Sequence, residues 1–174
     1  KKKLPSLKDI EHARSAWPLS NEYKRIVAIG SLKEVKNLDY LLDALRIAAK
    51  KIKVALVLVG DGDQRENLEK KAKQLEHDYP ITFAGYAKYP ESYLVNADLL
   101  VLSSKVEGLP MVILEALAFE IPVVSTDCPS GPNEILGGGR YGRLAPLDNK
   151  SVFADQIVNE LLSPTEQALL ASRA

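Results

Sequence analysis

Short apolar runs alternate with helix-forming segments over most of this chain, and this alternation limits the possible folds more than any other feature. The run from Lys53 to Val59 is almost continuously apolar, as expected for a strand that is covered on both faces. It follows a segment with helical spacing of apolar residues, Leu38 to about Lys51, and precedes a charged helical segment, Gln64 to His77. Strands that alternate with helices in this way predict a parallel sheet with helices on both faces.

The complete pattern predicts an α/β, Rossmann-like, doubly wound domain whose parallel sheet has about six strands. The predicted strands are 25–30, 53–59, 81–84, 98–102, 121–125 and 141–145, and the predicted helices are 38–51, 64–77, 90–96, 110–119 and 151–162, with a helical turn over 133–136. Residues 1–23 are polar, with a possible short helix over 8–16, and are interpreted as a linker or lead-in. Residues 24–174 are interpreted as one domain, in which a further helix opens at Thr165.

Length and composition fit a globular domain with a hydrophobic core. The chain has 174 residues, of which 46% are hydrophobic and 26% charged. Lys plus Arg and Asp plus Glu both number 23, so the formal net charge is zero and gives no support for binding nucleic acid. Cys128 is the only cysteine, which excludes an intramolecular disulfide and a cysteine-based metal site.

Nothing in the sequence indicates a membrane-spanning or secreted protein. No apolar run approaches the roughly 20 residues that a membrane helix needs, and no signal peptide is visible. The predicted location is therefore cytoplasmic. Because the chain begins at Lys1 rather than at a methionine, we expect it to be one domain of a longer protein.

The segment from Glu107 to Phe119 carries the most specific signal for function. Pro110 is expected at the first helical position, because its fixed φ suits a helix start and its missing N–H is not needed there. From Met111 onward the segment is apolar except at Glu115, which predicts a buried helix. A charged carboxylate in such a helix is costly without a partner. Glu115 therefore needs a buried base, backbone donors or the hydroxyls of a ligand.

Glu107 and Glu115, with seven residues between them, resemble the signature of retaining glycosyltransferases of the two-domain GT-B architecture, in particular the group 1 (family 4-like) enzymes. The flanking segments 97–104 and 121–126 are similar to that family as well, and the resemblance extends over roughly 25–162. It implies that the chain is the carboxyl-terminal, donor-binding domain. It also implies that Glu115 binds the ribose hydroxyls of a nucleotide-sugar donor and that Glu107 contacts the transferred sugar as the catalytic residue. The residues between them, whose backbone is expected to face the phosphates, are Gly108, Leu109, Pro110, Met111 and Val112.

The loop after the first strand departs from the family at one position. The family usually has Gly-Arg-Leu here, followed by a lysine, and its arginine and lysine bind the diphosphate of the donor. Gly30 and Lys36 match this pattern, whereas Ser31 stands where the arginine is expected. A hydroxyl cannot grip phosphate as an arginine fork does, so donor affinity is expected to fall by roughly tenfold or more unless Lys33 supplies the missing charge. By spacing alone, Lys36 is equally well a solvated loop lysine.

The end of the third strand completes the predicted donor site. In the resembling family, the turn at Gly85 and Tyr86 lines the nucleobase pocket, and Tyr86 is expected either to stack on a base or to pack under the loop. The segment 60–62 is similar to a dinucleotide fingerprint, but the third glycine is replaced by Arg65 and the motif follows the second strand. We therefore interpret it as a tight turn, with Asp63 capping the next helix.

Purely structural roles are open for several of these residues. Glu107 could form a salt bridge with Lys105, and Glu115 could pair with a structural base. Ser103 and Ser104 lack the Gly-x-Ser-x-Gly context of a hydrolase nucleophile. These two serines therefore do not indicate hydrolase chemistry.

The resemblance implies a retaining transferase that moves a sugar from a nucleoside-diphosphate sugar to an acceptor, without a metal or another cofactor, in the synthesis of a surface polysaccharide or other glycan. The implied partners are the donor and an acceptor-binding amino-terminal domain, without which the isolated domain is expected to be inactive. The whole enzyme could associate peripherally with the inner face of a membrane. Two alternatives are a nucleotide-sugar epimerase of the same fold and a non-catalytic binding module in which Ser31 marks a decayed donor site.

Overall fold

The computed structural model describes residues 5–164, which form a doubly wound α/β domain around one parallel sheet of six strands. The strands are β1 (Lys24–Ile29), β2 (Val54–Val59), β3 (Ile81–Gly85), β4 (Leu99–Leu102), β5 (Val123–Thr126) and β6 (Arg143–Ala145). Their order in the sheet is β3-β2-β1-β4-β5-β6, which is the order of the Rossmann fold. The predicted fold class is therefore confirmed.

Helices cover both faces of this sheet. They are α1 (Leu7–Arg14), α2 (Leu38–Ala49), α3 (Arg65–Leu75), α4 (Glu91–Leu94), α5 (Met111–Ala118), α6 (Pro132–Ile135) and α7 (Lys150–Leu162), and a 3-10 turn over Glu34–Lys36 precedes α2. The helix predicted to open at Thr165 lies outside the described residues. No helix within 5–164 has the length and apolarity needed to cross a lipid bilayer.

Alternate residues of the central strands face two separate cores. In β1, Ile26 and Ala28 pack in the core that includes α2, α3 and α7, whereas Val27 packs in the core that includes α1, α4, α5 and α6. All six residues of β2 are buried, as its apolar run predicts. One hydrophobic core therefore packs against each face of the sheet and fixes the strand ends from which the loops leave.

The amino-terminal segment, interpreted from the sequence as a lead-in, contains a helix that packs against the domain. The Ser6 hydroxyl accepts a hydrogen bond from the N–H of Asp9 and so caps α1. Ala13 and Trp17 are buried in the core beside α4, and the indole N–H of Trp17 donates to the Ile26 carbonyl at 3.4 Å. Residues 7–17 are therefore packed as part of the same folded unit.

The glycines after β2 serve a close contact between two loops. A Cβ on Gly60 would lie 1.9 Å from the carbonyl oxygen of Gly30, and a Cβ on Gly62 would lie 2.5 Å from that of Leu32. The N–H of Leu32 donates to the Asp61 carbonyl at 2.9 Å, which fastens the loop after β1 to the loop after β2. The tight turn is as predicted.

The capping role predicted for Asp63 is wrong. The residue that precedes the first turn of α3 is Gln64, and no side chain caps that helix. The chain is already fixed at this point by backbone contacts, because the N–H of Gln64 donates to the Leu32 carbonyl at 2.9 Å.

Candidate functional site

The crossovers reverse direction between β1 and β4, which lie side by side at the centre of the sheet. The loops that leave the carboxyl ends of these two strands diverge, and ligands of open parallel sheets bind in the crevice between them. A cavity of about 230 Å³ lies at this point. It is lined by the ends of β1 and β4, the loops that follow them and the first residues of α5.

This cavity gathers most of the residues that the sequence predicts for the site. The predicted residues that line it are Gly30, Ser31, Lys36, Glu107, Leu109, Pro110, Met111 and Val112. A second cavity, of about 340 Å³, shares Gly30 and Ser31 with the first and extends past β3 to Tyr86. Gly85, Gly108 and Glu115 are not among the lining residues of either cavity. Gly85 immediately precedes Tyr86, and Gly108 immediately follows Glu107.

Lys36 and Glu107 form an ion pair in the first cavity. Lys36 Nζ donates to Glu107 Oε1 at 2.6 Å, and the side chain of Glu107 is only 9% exposed. The hydroxyl of Ser104 donates to the same oxygen at 2.5 Å. The alternative pairing of Glu107 with Lys105 is wrong, because Lys105 pairs with Glu34 on the outer side of the loop at 3.3 Å.

Lys33, the other candidate for a phosphate cation, lies outside this cavity. It lines a groove on the flank of the domain together with Gln64 and Leu68 of the α3 region. Lys36 is therefore the cation of this loop that faces the crevice.

Hydrogen bonds join the loop after β1 to the loop after β4. The Ser103 hydroxyl donates to the Lys36 carbonyl, and the N–H of Lys105 donates to the Val35 carbonyl, both at 2.8 Å. These contacts hold the backbone that carries the lysine against the backbone that leads to Glu107. The two charged side chains therefore meet across a braced pair of loops.

The loop after β5 supports the same structure from the other side. The Ser130 hydroxyl donates to the Glu107 carbonyl at 2.8 Å. Gly131 adopts a φ of 80°, and a Cβ there would lie 2.4 Å from the Gly108 carbonyl oxygen. Motifs alone do not predict the serine contacts at 103, 104 and 130, but their positions after neighbouring parallel strands are a usable signal.

Helix α5 begins one residue later than predicted. Pro110 has a ψ of 86° and precedes the helix, so Met111 is its first residue. The N–H groups of Met111 and Val112 have no acceptor within the helix, and both residues line the cavity. The amino end of α5 thus adds backbone donors and a partial positive charge to the site.

The prediction of a fully buried helix around Glu115 is wrong. Ile113, Ala116 and Leu117 are buried, but Met111 is 54% exposed and Glu115 is half-buried. Because α5 covers only one side of the sheet edge, its outer face is open. Glu115 lies one turn after Met111 on the same face of α5, although it does not line the cavity itself.

Cys128 lies close to Glu107 without being a nucleophile. Burial, and then the negative charge of Glu107, raises the pKa of its thiol. The thiol therefore stays protonated at neutral pH. Within residues 5–164, no group of three or more His, Cys, Asp or Glu side chains is arranged to hold a metal ion.

Comparison with known proteins identifies relatives of this domain. A family model described as glycosyl transferases group 1 matches residues 23–163. An uncharacterized glycosyltransferase of Methanocaldococcus jannaschii is 32% identical, with 97% of this chain and 47% of the relative covered. The lipopolysaccharide 1,6-galactosyltransferase of Escherichia coli is 36% identical over 73% of this chain and 36% of its own length.

Solved structures share the fold. Alr3699/HepE of Anabaena, in complex with UDP-glucose, has a TM-score of 0.78 at 24% identity, and the match covers 97% of this chain and 49% of that one. The chain spans between about a third and a half of the length of these relatives. The similarity therefore concerns one part of each of them.

Proposed function

This chain belongs to the group 1 family of glycosyltransferases, and on that premise we propose that it is the donor-binding domain of a retaining, metal-independent enzyme. The enzyme transfers a sugar from a nucleoside-diphosphate sugar to an acceptor in the synthesis of a surface polysaccharide or related glycan. One observation carries the proposal. Lys36, Glu107 and the amino end of α5 surround a single cavity at the switch point of the sheet.

The diphosphate of the donor binds between Lys36 and α5. A lysine ammonium group and the N–H groups of Met111 and Val112 all favour an anion. Ser31, which lines the same cavity, adds a neutral hydroxyl in place of a second cation. The affinity for the diphosphate therefore depends mainly on Lys36.

The nucleoside extends from the diphosphate towards the second cavity, which adjoins the first at Gly30 and Ser31. Tyr86 is 83% exposed at its border, so its ring has a face on which a base can stack. Gly85 supplies the turn that places Tyr86 there. Glu115, one turn of α5 after Met111, accepts hydrogen bonds from the ribose hydroxyls.

Transfer breaks the bond between the anomeric carbon of the sugar and the β-phosphate oxygen, and it forms a bond from that carbon to the oxygen of an acceptor hydroxyl. The proton of that hydroxyl passes to the departing diphosphate. Negative charge develops on the departing diphosphate. Lys36 and the amino end of α5 stabilise this charge through fixed positive groups. Glu107 accepts hydrogen bonds from hydroxyls of the transferred sugar and keeps the sugar oriented.

The acceptor binds to another part of the complete enzyme. The relatives are two to three times the length that this chain matches, which leaves room for an acceptor-binding domain across the crevice. We therefore propose that the chain alone binds donor nucleotide and transfers little sugar.

Calorimetric titration of the chain with UDP, GDP and ADP tests this function, and we expect one of the three to bind. The variant Glu115→Gln is expected to weaken that binding by about tenfold, since a charge-assisted bond to the ribose is lost. Inorganic pyrophosphate, which has no ribose, is the control ligand, and its binding is expected to stay unchanged. If none of the nucleotides binds, the function is refuted. If the variant changes only thermal stability, Glu115 is a structural residue.

A further inference from the structure

Glu107 places a negative charge where an anionic ligand is proposed to bind. Its side chain is 9% exposed and lines the cavity beside Lys36. The side-chain hydrogen bonds that it receives from Lys36 and Ser104 both reach Oε1. Among the described contacts, Oε2 is therefore available to hydroxyl donors of a ligand.

A sugar nucleotide and a free nucleoside diphosphate differ at the atoms that meet this carboxylate. In the sugar nucleotide, the β-phosphate is a diester with one negative charge, and the sugar adds hydroxyl donors. In the free nucleoside diphosphate, the terminal phosphate is a monoester whose second pKa is about 6, so it carries nearly two charges at neutral pH. It also has no sugar hydroxyls to offer to Glu107.

We propose that Glu107 is a specificity-determining residue that makes the site prefer the intact sugar nucleotide to the nucleoside diphosphate left after transfer. The proposal rests on the proposed function of the cavity. Hydroxyls of the sugar donate to Glu107, whereas the doubly charged terminal phosphate is repelled by it and must compete with it for Lys36. The same carboxylate therefore helps to hold the donor and to expel the product.

The positions of Lys36 and Glu107 support a competition of this kind. The two side chains come from loops that are braced together by the Ser103 and Lys105 contacts, so the backbone that carries each of them is held beside the cavity. Lys36 is 28% exposed and remains accessible to a phosphate while it contacts Glu107. A ligand oxygen at Lys36 consequently lies near the carboxylate, where like charges repel.

The test compares UDP with UDP-glucose on the wild-type chain and on Glu107→Gln. Glutamine has the shape of glutamate and keeps an acceptor for Lys36 and Ser104, but it has no charge. We expect the substitution to raise the affinity for UDP by about tenfold, because a nearby like charge is removed. The affinity for UDP-glucose is expected to stay the same or fall, so the preference for the sugar nucleotide shrinks.

Glu34→Gln is the matched control. Glu34 lies in the loop after β1 and pairs with Lys105, so its replacement changes the net charge by the same amount without removing a partner of Lys36. We expect this variant to bind both ligands as the wild type does. If it shifts the preference as strongly as Glu107→Gln, a general change of charge explains the effect and the proposal is overturned.

A second measurement follows the two affinities as a function of pH in the wild type and in Glu107→Gln. Between about pH 8 and about pH 5 the terminal phosphate of UDP gains a proton and loses one charge. Protonation relieves the repulsion by Glu107, but it also weakens the attraction to Lys36 and to the amino end of α5. As the pH falls, the affinity for UDP relative to UDP-glucose is therefore expected to change less favourably in Glu107→Gln, where only the attraction is weakened, than in the wild type. The same pH dependence of the ratio in the wild type and in Glu107→Gln, or an unchanged ratio in Glu107→Gln at neutral pH, overturns this proposal. Failure of the wild type to bind any of UDP, GDP and ADP overturns the proposed function as well.

Discussion

Replacing Lys36 with glutamine is expected to weaken the binding of a nucleoside diphosphate by roughly tenfold to a hundredfold. Lys36 is the side-chain cation of its loop that lines the cavity, and Ser31 beside it supplies no charge. The substitution also leaves the Glu107 carboxylate uncompensated next to the bound phosphate. Glutamine keeps an amide donor for Glu107, so the loop is expected to retain its structure. Calorimetry with UDP and with pyrophosphate measures the loss.

Lys33→Gln is the control for this experiment. Lys33 lies three residues before Lys36 in the same loop and carries the same charge, but it lines the groove on the flank of the domain. Its replacement is expected to leave both affinities within about twofold of the wild type, because exposed charges are strongly screened. An equal loss in the two variants would mean that the loop attracts anions only through its overall charge.

The second large effect is expected for Gly60→Ala, which acts on stability. A Cβ at this position would lie 1.9 Å from the carbonyl oxygen of Gly30, and the residue has a φ of 135°. The loops after β1 and β2 must therefore move apart. We expect a loss of about 3–5 kcal/mol in the free energy of unfolding and a fall of about 10 °C in Tm, because overpacking and backbone strain add. Chemical and thermal unfolding measure both quantities.

Gly138→Ala is the control that separates the steric clash of an added Cβ from the backbone strain of a positive φ. Gly138 also has a positive φ, of 66°, but an added Cβ there meets nothing within 4 Å. Its replacement is expected to cost only about 1 kcal/mol, which is the cost of the left-handed conformation. Equal losses in the two variants would show that the contact between the two loops does not limit stability.

The fold was accessible from the sequence because its central strands are unambiguous. The apolar run of β2 predicts a strand that is buried on both faces, and all of its residues are buried. The helix-forming segments between the strands restrict the sheet to parallel crossovers. In contrast, the packing of Trp17 against the domain depends on a contact with Ile26 across the sheet face, and local composition carries no information on such a contact.

The sequence predicts which residues lie at the candidate site, but not the hydrogen bonds and the ion pair that join them. The positions of Lys36 and Glu107 after neighbouring strands predict that they lie at one edge, yet their ion pair depends on loop conformations that the Ser103 and Ser130 hydrogen bonds determine. The apolar sequence of α5 predicts more burial for Glu115 than the structure shows, because sequence alone does not indicate which side of a helix is left uncovered. Helix α5 instead leaves Met111 exposed and Glu115 half-buried.

A further cavity with basic side chains lies at the opposite edge of the sheet. A cavity of about 220 Å³ there is lined by Arg14, Lys24 and Arg25, together with Asp98. Arg25 is engaged with Asp98 at 3.0 Å, which lowers the positive charge available to a ligand. An experiment on nucleotide binding must therefore report which edge of the sheet the ligand contacts.

The backbone amide shifts of the isotope-labelled chain during a UDP titration distinguish the two edges most directly. The proposed site predicts that the largest shifts fall in residues 30–36 and 109–112, around Lys36 and the amino end of α5. Shifts confined to the surroundings of Arg14, Lys24 and Arg25 would contradict it, as would saturating binding that leaves both of the predicted segments unchanged.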